Sequence, residues 1–491
     1  MLQDHPDRAF VNYLLTGIRE GFRIGFNRQH SCRRAMGNMG SALTNPQPVA
    51  DFLRTELTAG RIIGPLADIP QVQISRFGVI PKPNQPGKWR LILDLSSPQN
   101  YSVNDGIASQ WCSMKYTSVD NAVEKILQLG RNTELAKIDI EHAYRNIPIH
   151  PSDRRLLGMS WNGQLYIDTV LLFGLRSAPK VFSAVADAVE WVALQFGVSI
   201  LLHYLDDFLT MGKANTSECK RNLELLIELC NKLGLPLKWQ KREGPVTTLI
   251  FLGILIDTQR MELRLPDEKL RELKSLISKW LSKRTGKKRE VLSVIGKLAH
   301  AAKIITPGRI FLRRMIDTAH KAKHLDHWVH LNEEFRSDLA WWQYFIETWN
   351  GLGMMQCVAT SWSPKFTFST DASGSWGCGA AWENRWIQCA WEGVWKDKSI
   401  AVKELLPILL AAAMWGPFWA GNQVQVQCDN MSVVNIIASH TSKDKSIMHL
   451  LRGLHFICAY YNINLRASHI KGSIICPLML SLAIICRYSS P

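Results

Sequence analysis

Three aspartates have the residue type and spacing that nucleotidyl transfer requires. Asp206 and Asp207 lie together in HYLDDFL, between short apolar runs that predict a β-hairpin. Asp139 ends the apolar stretch ELAKID and is therefore predicted at a strand end. Three carboxylates brought together in this way can hold two divalent ions, which stabilise the attacking 3′ oxygen and the leaving pyrophosphate. Hard oxygen ligands favour Mg²⁺, with Mn²⁺ as the alternative. Taken alone, a YxDD string is also typical of a solvated turn.

A second set of three acids lies in the last third of the chain. Asp371 in FSTDASGSWGCGAAW is predicted at a strand end, Glu404 in KELLPILLAA early in a helix, and Asp429 in VQVQCDN at the end of an alternating strand. These three carboxylates could also converge on metal ions. Each has a simpler interpretation as a surface acid, and Glu404 would be favourable at a helix start in any protein.

The elements that must position these acids form two α/β regions with a helical region between them. From Gly60 to Asp257, apolar and β-branched clusters punctuated by Pro and Gly predict strands with intervening helices. After Pro266, a basic amphipathic helix is predicted, with Asp267 as its cap. Its apolar stripe is Leu270, Leu273, Leu276, Ile277, Trp280 and Leu281, and the basic residues off that stripe are Lys269, Arg271, Lys274 and Lys279. Helices are expected to about Met355, before the second α/β region.

The charge balance indicates an anionic partner such as nucleic acid. Lys and Arg number 58 against 42 Asp and Glu, a formal net charge of +16. Residues 264–323 alone carry 17 basic and 5 acidic side chains, which predicts a surface that faces phosphates. The 11 cysteines include no CxxC pair, which argues against a disulfide framework or a structural zinc site. A reducing, intracellular location is expected, either cytoplasmic or nuclear.

The hydropathy pattern predicts neither a secretory signal nor a membrane partner. The first residues, MLQDHPDRAF, contain no apolar core of a signal peptide. The apolar runs at 191–205, 405–420 and 473–486 are shorter than the roughly 18 to 20 residues that span a bilayer. The first two runs are predicted to be buried core. The third, without acidic residues, has no explanation in its sequence.

The order of the motifs resembles that of retroelement reverse transcriptases. The matching segments are GVIPKPNQPGKWRLILDLS, KIDIEHAYRNIPI, LLFGLRSAPKVF, HYLDDFL and FLGILID. Three further segments are similar to the DIRS-type retrotransposons, namely HPDRAFVNYLLTGIREGFRIGF, SSPQNYSVNDGI and KREVLSVIGKLAHAAKIITPGRIFLRRMID. The resemblance implies an α/β (α+β) chain that copies RNA into DNA, in which a right-hand polymerase of fingers, palm and thumb precedes an RNase H-like mixed-sheet domain.

This resemblance implies roles for the residues of the first site. Asp139, Asp206 and Asp207 would hold the metals, two ions per active site. Lys82 and Arg90 would bind the incoming triphosphate, with a solvated turn as the alternative interpretation. Tyr144 would crowd a ribose 2′-OH and so select deoxynucleotides, although a lone tyrosine is more often core.

Further residues would complete the nucleotide pocket. Phe173 and Gly174 would line it, and Leu172 stands where the family usually has proline. Lys241 would protonate the pyrophosphate leaving group as a general acid. An ordinary exposed lysine is the alternative for Lys241.

The resemblance also implies an RNase H-like site with one departure. Asp371, Glu404 and Asp429 would bind two metals that activate a water against an RNA phosphodiester, and His469 matches the family's closing histidine. The acid expected near residue 477 or 478 is missing, since no Asp or Glu follows Asp444. Impaired cleavage is therefore expected.

The expected domains are an N-terminal lead-in at 1–70, fingers and palm at 71–258, a basic helical thumb and connection at 259–361, and the RNase H-like domain at 362–482. The expected partners are an RNA template, a DNA primer, an RNA–DNA hybrid and dNTPs. Two alternatives stay open: an inactive element remnant that binds nucleic acid, and an RNA-directed RNA polymerase. The sequence leaves the oligomeric state open.

Overall fold

The computed structural model describes residues 1–35, 37–67, 69–82, 85–349, 352–355 and 362–472. The chain folds into two compact units. The first comprises Met1–Ala122 and Asn132–Leu249, and the second comprises Val123–Arg131 and Ile250–Pro491. The expected domain boundaries at residues 70, 258 and 361 stay predictions.

The first unit alternates helices and strands, as the sequence pattern predicted. Its helices are α1 (Arg8–Glu20), α2 (Gly40–Thr44), α3 (Pro46–Thr58), α4 (Val119–Leu129, which continues into the second unit), α5 (Pro151–Arg154), α6 (Ala178–Gln195) and α7 (Glu218–Lys232). Its strands are β1 (Ile62–Leu66), β2 (Phe77–Pro81), β3 (Trp89–Leu93), β4 (Glu134–Asp139), β5 (Gly158–Trp161), β6 (Gln164–Asp168), β7 (Leu201–Tyr204), β8 (Asp207–Gly212) and β9 (Glu243–Val246). Short 3₁₀ turns lie at Asn104–Gly106, Ser109–Cys112, Ala143–Asn146 and Trp239–Lys241.

The central sheet of the first unit has the antiparallel order β7-β8-β4-β9. Its middle strands are apolar because helices cover them: α7 packs on β4 and β8, and α6 packs on β7. Ile138 and Phe208 from the sheet and Leu226 from α7 belong to one hydrophobic core. The middle of the sheet is therefore a rigid base for side chains at its edge.

Two smaller sheets are built from strands that lie before β4 or between β4 and β7 in the sequence. One has the order β1-β6-β5, and the other is the ribbon β2-β3. In the ribbon, Ile80 pairs with Arg90, and the Lys82 amide donates to the Lys88 carbonyl at 2.8 Å. Lys82 and Arg90 therefore belong to the same end of one hairpin.

The second unit begins with a helical region and ends with a larger sheet. Its helices are α8 (Asp267–Leu281), α9 (Lys288–Ala301), α10 (Arg313–His320), α11 (Glu333–Trp349), α12 (Ile400–Trp419), α13 (Met431–Ser439) and α14 (Lys445–Tyr460), with 3₁₀ turns at Thr306–Leu312 and Gly393–Trp395. Its strands are β10 (Thr248–Phe251, which begins in the first unit), β11 (Ile254–Asp257), β12 (Glu262–Arg264), β13 (Thr285–Lys287), β14 (Trp328–His330), β15 (Leu352–Met354), β16 (Phe366–Ala372), β17 (Gly377–Trp382), β18 (Arg385–Ala390), β19 (Gln423–Cys428) and β20 (Asn464–His469).

Helix α8 is the predicted basic amphipathic helix, with one correction. Leu270, Leu273, Ile277 and Trp280 are buried along one face, as the pattern predicted. The expectation that Asp267 caps the helix was wrong. Pro266 occupies the cap position with extended backbone, so the helix begins at Asp267 and no side chain caps it. Asp267 still places negative charge in the first turn, where it is favourable.

The last sheet is mixed, with the order β18-β17-β16-β19-β20. Strands β16, β17 and β18 are antiparallel, whereas β19 and β20 run parallel to β16. Helix α12 packs on β16, β17 and β19, and α14 packs on α12. Phe368 stacks on Trp419 with ring centroids 4.8 Å apart in this core. A mixed sheet in this part of the chain was predicted and is confirmed.

Helix α12 holds most of the apolar run that was predicted as core. By length and composition it could cross a membrane, and it is the one such helix among the described residues. Of its most apolar 18-residue window, 56% is buried inside the structure. Its buried side chains include Leu405, Ile408 and Trp415, so it packs as a core helix. In the described part of the chain, eight cysteines are free thiols.

Candidate active site

The three aspartates of the first site meet at one end of the central sheet. Asp139 is the last residue of β4 and pairs directly with Asp207, the first residue of β8, so both side chains lie on the same face. Asp206 lies in the two-residue turn between β7 and β8. The Ile140 amide donates to the Asp206 carbonyl at 3.1 Å, which ties the turn to β4. The predicted hairpin and strand end are confirmed.

The hairpin turn stores local strain. Leu205 has a φ of 54°, in the left-handed region that bulky residues rarely adopt. Such conformations cost about 1 to 3 kcal/mol and persist where the surrounding structure enforces them. Here the enforcing structure is the Tyr204–Asp207 pair and its neighbour β4, which hold both carboxylates at the edge.

The electrostatics of this cluster suit a cation. Burial, followed by the charges of Asp206 and Asp139, raises the pKa of Asp207 to about 6. Burial and the charge of Asp139 also raise the pKa of Asp206. Lys241 donates a hydrogen bond to Asp139 Oδ2, and its pKa is raised by that bond and the aspartate charges, against an opposing effect of burial. The predicted residues Asp139, Asp206, Asp207 and Lys241 thus lie together.

The raised pKa of Asp207 predicts a pH-dependent response to Mg²⁺. Below about pH 6 Asp207 is protonated and a poor ligand. The metal-free folded state loses stability as the pH rises from 3.8, the ordinary pKa of Asp, through about 6, because burial and the neighbouring carboxylates disfavour the ionised form. Mg²⁺ should therefore raise the melting temperature clearly at pH 8 and much less at pH 5. Thermal unfolding in an Asp371→Asn, Glu404→Gln background, which silences the second carboxylate set, measures this. An equal shift at both pH values, or the same shift in an added Asp207→Asn variant, would contradict it.

Tyr144 lies in the 3₁₀ turn after β4 and is 7% exposed. Its ring contacts Phe173 at 4.8 Å and Phe182 at 5.6 Å between centroids. Burial, followed by the charge of Asp206, raises the pKa of its hydroxyl. The tyrosine is therefore both core and close to the carboxylates, so the two sequence interpretations are compatible.

Phe173 extends this contact chain to the ribbon β2-β3. It is 56% exposed, and the guanidinium of Arg90 lies 5.9 Å from its ring centroid. Gly174 has a φ of 92°, and its carbonyl accepts from Asn104 Nδ2 at 2.8 Å. Leu172, the departure from the family pattern, is 5% exposed and part of the core. Arg90, Phe173 and Tyr144 thus line one path to Asp206.

Lys238 is a residue that sequence reasoning missed. Its amide donates to the Asp139 carbonyl at 2.9 Å. Its charge acts on Lys82, whose pKa is lowered by burial and then by Arg90 and Lys238, and also on Asp206. Lys238 is therefore close to both a cation of the ribbon and the carboxylates. The KWQK segment was a visible signal, but only Lys241 matched a family role.

A buried ion network supports the turn that carries Tyr144. Arg145, 8% exposed, donates to Glu56 Oε2 and to Asp168 Oδ1, each at 2.5 Å. Arg61 donates to the same Glu56 at 2.8 Å. Because an unpaired buried charge is costly, this network fixes the turn against α3 and β6. The residues of this network are far apart in the sequence, so no local sequence pattern predicted the network.

The second acidic set also converges, within the second unit. Asp371 lies at the end of β16 and Asp429 directly after β19, and these parallel neighbours pair Ser369 with Gln427, which puts both acids at the same level. Glu404, 3% exposed, projects from α12. Burial, followed by Asp429 and Asp371, raises the pKa of Glu404 to about 8. Burial and Asp429 raise that of Asp371.

Two more residues lie at this edge. His469 ends β20 and pairs with Cys428, the residue before Asp429. The Cys428 thiol lies 3.9 Å from Glu404 Oε2, and Glu404, Cys428 and Asp429 offer ligand atoms within 4.8 Å of one another. Sequence reasoning missed Cys428 because a buried strand cysteine is usually a small hydrophobe. Residues 477 and 478, where the fourth acid was expected, lie outside the described residues.

Part of this chain is similar to known proteins. Residues 80–256 match the family described as reverse transcriptase (RNA-dependent DNA polymerase). The enzymatic polyprotein of Cestrum yellow leaf curling virus is 26% identical over 160 residues, 32% of this chain and 24% of that protein. The Pro-Pol polyprotein of Feline foamy virus is 26% identical over 183 residues, 37% of this chain and 14% of that protein. The chain thus matches a quarter or less of these relatives' length.

Solved structures are similar over most of the chain. The foamy viral protease-reverse transcriptase in complex with double-stranded DNA has a TM-score of 0.52 at 17% identity, covering 90% of this chain and 72% of that one. The same viral protein in complex with an RNA/DNA hybrid has a TM-score of 0.52 at 16% identity, covering 92% and 57%. This likeness confirms the predicted mixed α/β fold class.

Proposed function

We propose that this chain, which contains a reverse transcriptase domain at residues 80–256, is an RNA-directed DNA polymerase that adds dNTPs to a primer. The observation that carries the proposal is the meeting of Asp139, Asp206 and Asp207 at one sheet edge, with Lys241 bonded to Asp139. A solvated turn would leave its acids exposed, whereas Asp206 and Asp207 are half-buried beside Asp139, which is 5% exposed.

The donor set fits two Mg²⁺ ions. The ligands are carboxylate oxygens. Burial and then the neighbouring carboxylate charges raise the pKa values of Asp206 and Asp207, and a bound cation would offset both effects. Asp139, Asp206 and Asp207 would hold the ions, with Mn²⁺ as a substitute. When bound, the metals supply charge stabilisation for the attacking and leaving oxygens of an in-line displacement.

The remaining residues position the nucleotide. Lys82, Arg90 and Lys238 supply positive charge for the triphosphate. Lys241 holds a proton beside the carboxylates and can donate it to the departing pyrophosphate. The path lined by Phe173 and Gly174 leads to Tyr144, which closes the space beneath the sugar.

Primer extension tests this function. The protein should extend a DNA primer on an RNA template with Mg²⁺ and dNTPs, and on a DNA template as well. No extension, with salt-sensitive duplex binding intact, would favour the inactive remnant. That alternative is supported by Leu172 and by the missing fourth acid; extension with ribonucleotides in preference to dNTPs would favour an RNA-directed RNA polymerase.

The basic helices of the second unit are proposed to bind the primer–template. Lys269, Arg271 and Lys279 lie exposed on α8, away from its buried face. Contacts to phosphates hold a duplex without reading its sequence. The partners would be an RNA template, a DNA primer and their hybrid.

Binding should therefore depend steeply on salt. The double variant Lys269→Ala, Lys279→Ala should lower the slope of log affinity against log salt by about 2, because each phosphate contact contributes about 0.9. Fluorescence anisotropy of a labelled hybrid between 50 and 300 mM salt, roughly the range over which such slopes are resolved, measures it. Lys213→Ala, an exposed lysine of the first unit, is the control. An unchanged slope in the double variant would place the contact elsewhere.

The second acidic set is proposed as an RNase H-like site with impaired cleavage. Asp371, Glu404 and Asp429 would hold metal ions there, and His469 lies at the same edge. Labelling the RNA strand in the extension assay reveals any cleavage. Loss of cutting in Asp371→Asn would assign it to this site, and cutting that persists in that variant would contradict the assignment.

The type of genetic element that encodes this chain is also a proposal. The three DIRS-like segments support a retrotransposon of that type rather than a virus. An intracellular location, cytoplasmic or nuclear, with no membrane partner, follows from the proposed substrates. The oligomeric state stays open.

A further inference from the structure

One tryptophan beside the second carboxylate set lies almost entirely in solvent. Trp376, in the turn between β16 and β17, is 83% exposed. Tryptophan is buried on average, since its indole removes much apolar area from water. The turn directly follows Asp371 and Ala372: Ala372 pairs with Cys378, and the Ser373 amide donates to the Gly377 carbonyl at 2.8 Å. The indole therefore belongs to the sheet end that carries the acids.

The turn that presents this indole is held firmly. Ser373 Oγ accepts from the amides of Ser375 and Trp376, each at 3.2 Å. Trp391, 4% exposed, donates its indole N–H to the Ser373 carbonyl at 2.6 Å and its amide to the Trp376 carbonyl at 3.0 Å. Because both ends of the turn are anchored on one buried residue, the backbone that carries Trp376 is fixed before any ligand arrives.

A buried lysine adds a second anchor. Lys403 is 3% exposed, and its Nζ donates to the carbonyls of Gly374 and Lys396, each at 2.7 Å. Burying an ammonium is costly unless it is hydrogen-bonded, so these two bonds stabilise Lys403 and tie it to the turn. Lys403 precedes Glu404 in α12. The turn that carries Trp376 thus follows closely after Asp371 in the sequence. Its middle residue Gly374 is hydrogen-bonded to Lys403, which precedes Glu404.

We propose that Trp376 is a contact residue for an RNA–DNA hybrid at the second carboxylate set. This inference rests on the proposed function. An exposed aromatic face on an anchored turn packs against the sugars of a duplex without reading sequence. The shallow minor groove of an A-like duplex exposes the 2′-OH-bearing sugar edge to such a face. Trp376 holds the RNA strand against the acids.

A photo-cross-linker tests this contact in the full chain. In Trp376→p-benzoylphenylalanine, ultraviolet light should cross-link the protein to the labelled RNA strand of a hybrid. Trp386→p-benzoylphenylalanine is the matched control, since Trp386 is 41% exposed and pairs with Ala381, at the far end of β17 from the turn. Clearly more cross-linking at 376 than at 386 is expected, because the photo-reactive group at 376 would lie against the RNA strand.

Affinity provides an independent measurement. Trp376→Ala should weaken hybrid binding by roughly fivefold or more, whereas Trp376→Phe retains most of it. Trp376 is 83% exposed, so neither substitution should affect the fold. Equal cross-linking at 376 and 386, or cross-linking to single-stranded RNA alone, would overturn the proposal. Primer extension by the same preparation reports separately on the polymerase, so failure of the proposed function is distinguishable.

Discussion

Asp206→Asn is expected to abolish primer extension, with a rate loss of roughly 10³-fold or more, since several kcal/mol of transition-state charge stabilisation depend on the metals. The substitution keeps the size of the side chain and removes one anionic ligand oxygen. Hybrid affinity should stay nearly unchanged, because no phosphate-binding cation is altered. Single-turnover extension together with anisotropy separates the two effects.

Two further variants are needed to interpret the Asp206→Asn result. Asp139→Asn should be equally inactive, because Asp139 faces the same cluster and also holds Lys241. Asp120→Asn removes an exposed acid in the first turn of α4 and should extend primers normally. Extension that survives in Asp206→Asn would refute the metal assignment, whereas a folding defect would show itself as lost hybrid affinity.

Tyr144→Val is expected to admit ribonucleotides, lowering the preference for dNTPs by about 10- to 100-fold. The ring cannot swing aside in the native protein, because Phe173 and Phe182 contact it and the Arg145 network fixes its turn. A smaller side chain opens space where a 2′-OH would otherwise clash. Incorporation rates for matched ribo- and deoxynucleotides at subsaturating concentration measure the ratio.

The hydroxyl of Tyr144 should matter little for this selection. Tyr144→Phe keeps the ring in contact with its neighbours and should retain the dNTP preference, so it is the matched control. If Tyr144→Val discriminated between dNTPs and ribonucleotides as the unsubstituted protein does, Tyr144 would be a core residue and would not select the sugar. A lower rate with both sugars alike would indicate a general packing defect instead.

The carboxylates could be predicted because their signals are local. A short apolar run that ends in Asp139, and two runs that flank Asp206 and Asp207, specify strands and a turn within ten or so residues. The same is true of Asp371 and Asp429, each at the end of an alternating strand. The amphipathic period of α8 could be recognised in the sequence in the same way.

Features made by distant segments escaped prediction. The ribbon β13-β14 consists of two three-residue strands whose sequences do not alternate between apolar and polar residues. These strands pair across a long stretch of sequence, for example Lys287 with Trp328. Arg145 needs Glu56 and Asp168 to become a buried network, and Lys238 gains its role from Asp139. The cap of α8 failed for a different reason: Pro266 already holds the extended conformation that the cap position requires.

The parallel pairing at the end of the chain has a consequence for solubility. Strand β20 covers the free edge of β19 through pairs from Gln423–Asn464 to Cys428–His469. Strand β20 is then the edge of the sheet, and α13 packs against it. A chain shortened before Asn464 would move the edge to β19, which α13 contacts less, and so would leave a row of open amides and carbonyls, the template on which sheets add to one another. Such shortened proteins should self-associate, whatever happens to their chemistry. The last described strand therefore protects this protein from aggregation as well as carrying His469 to the acids.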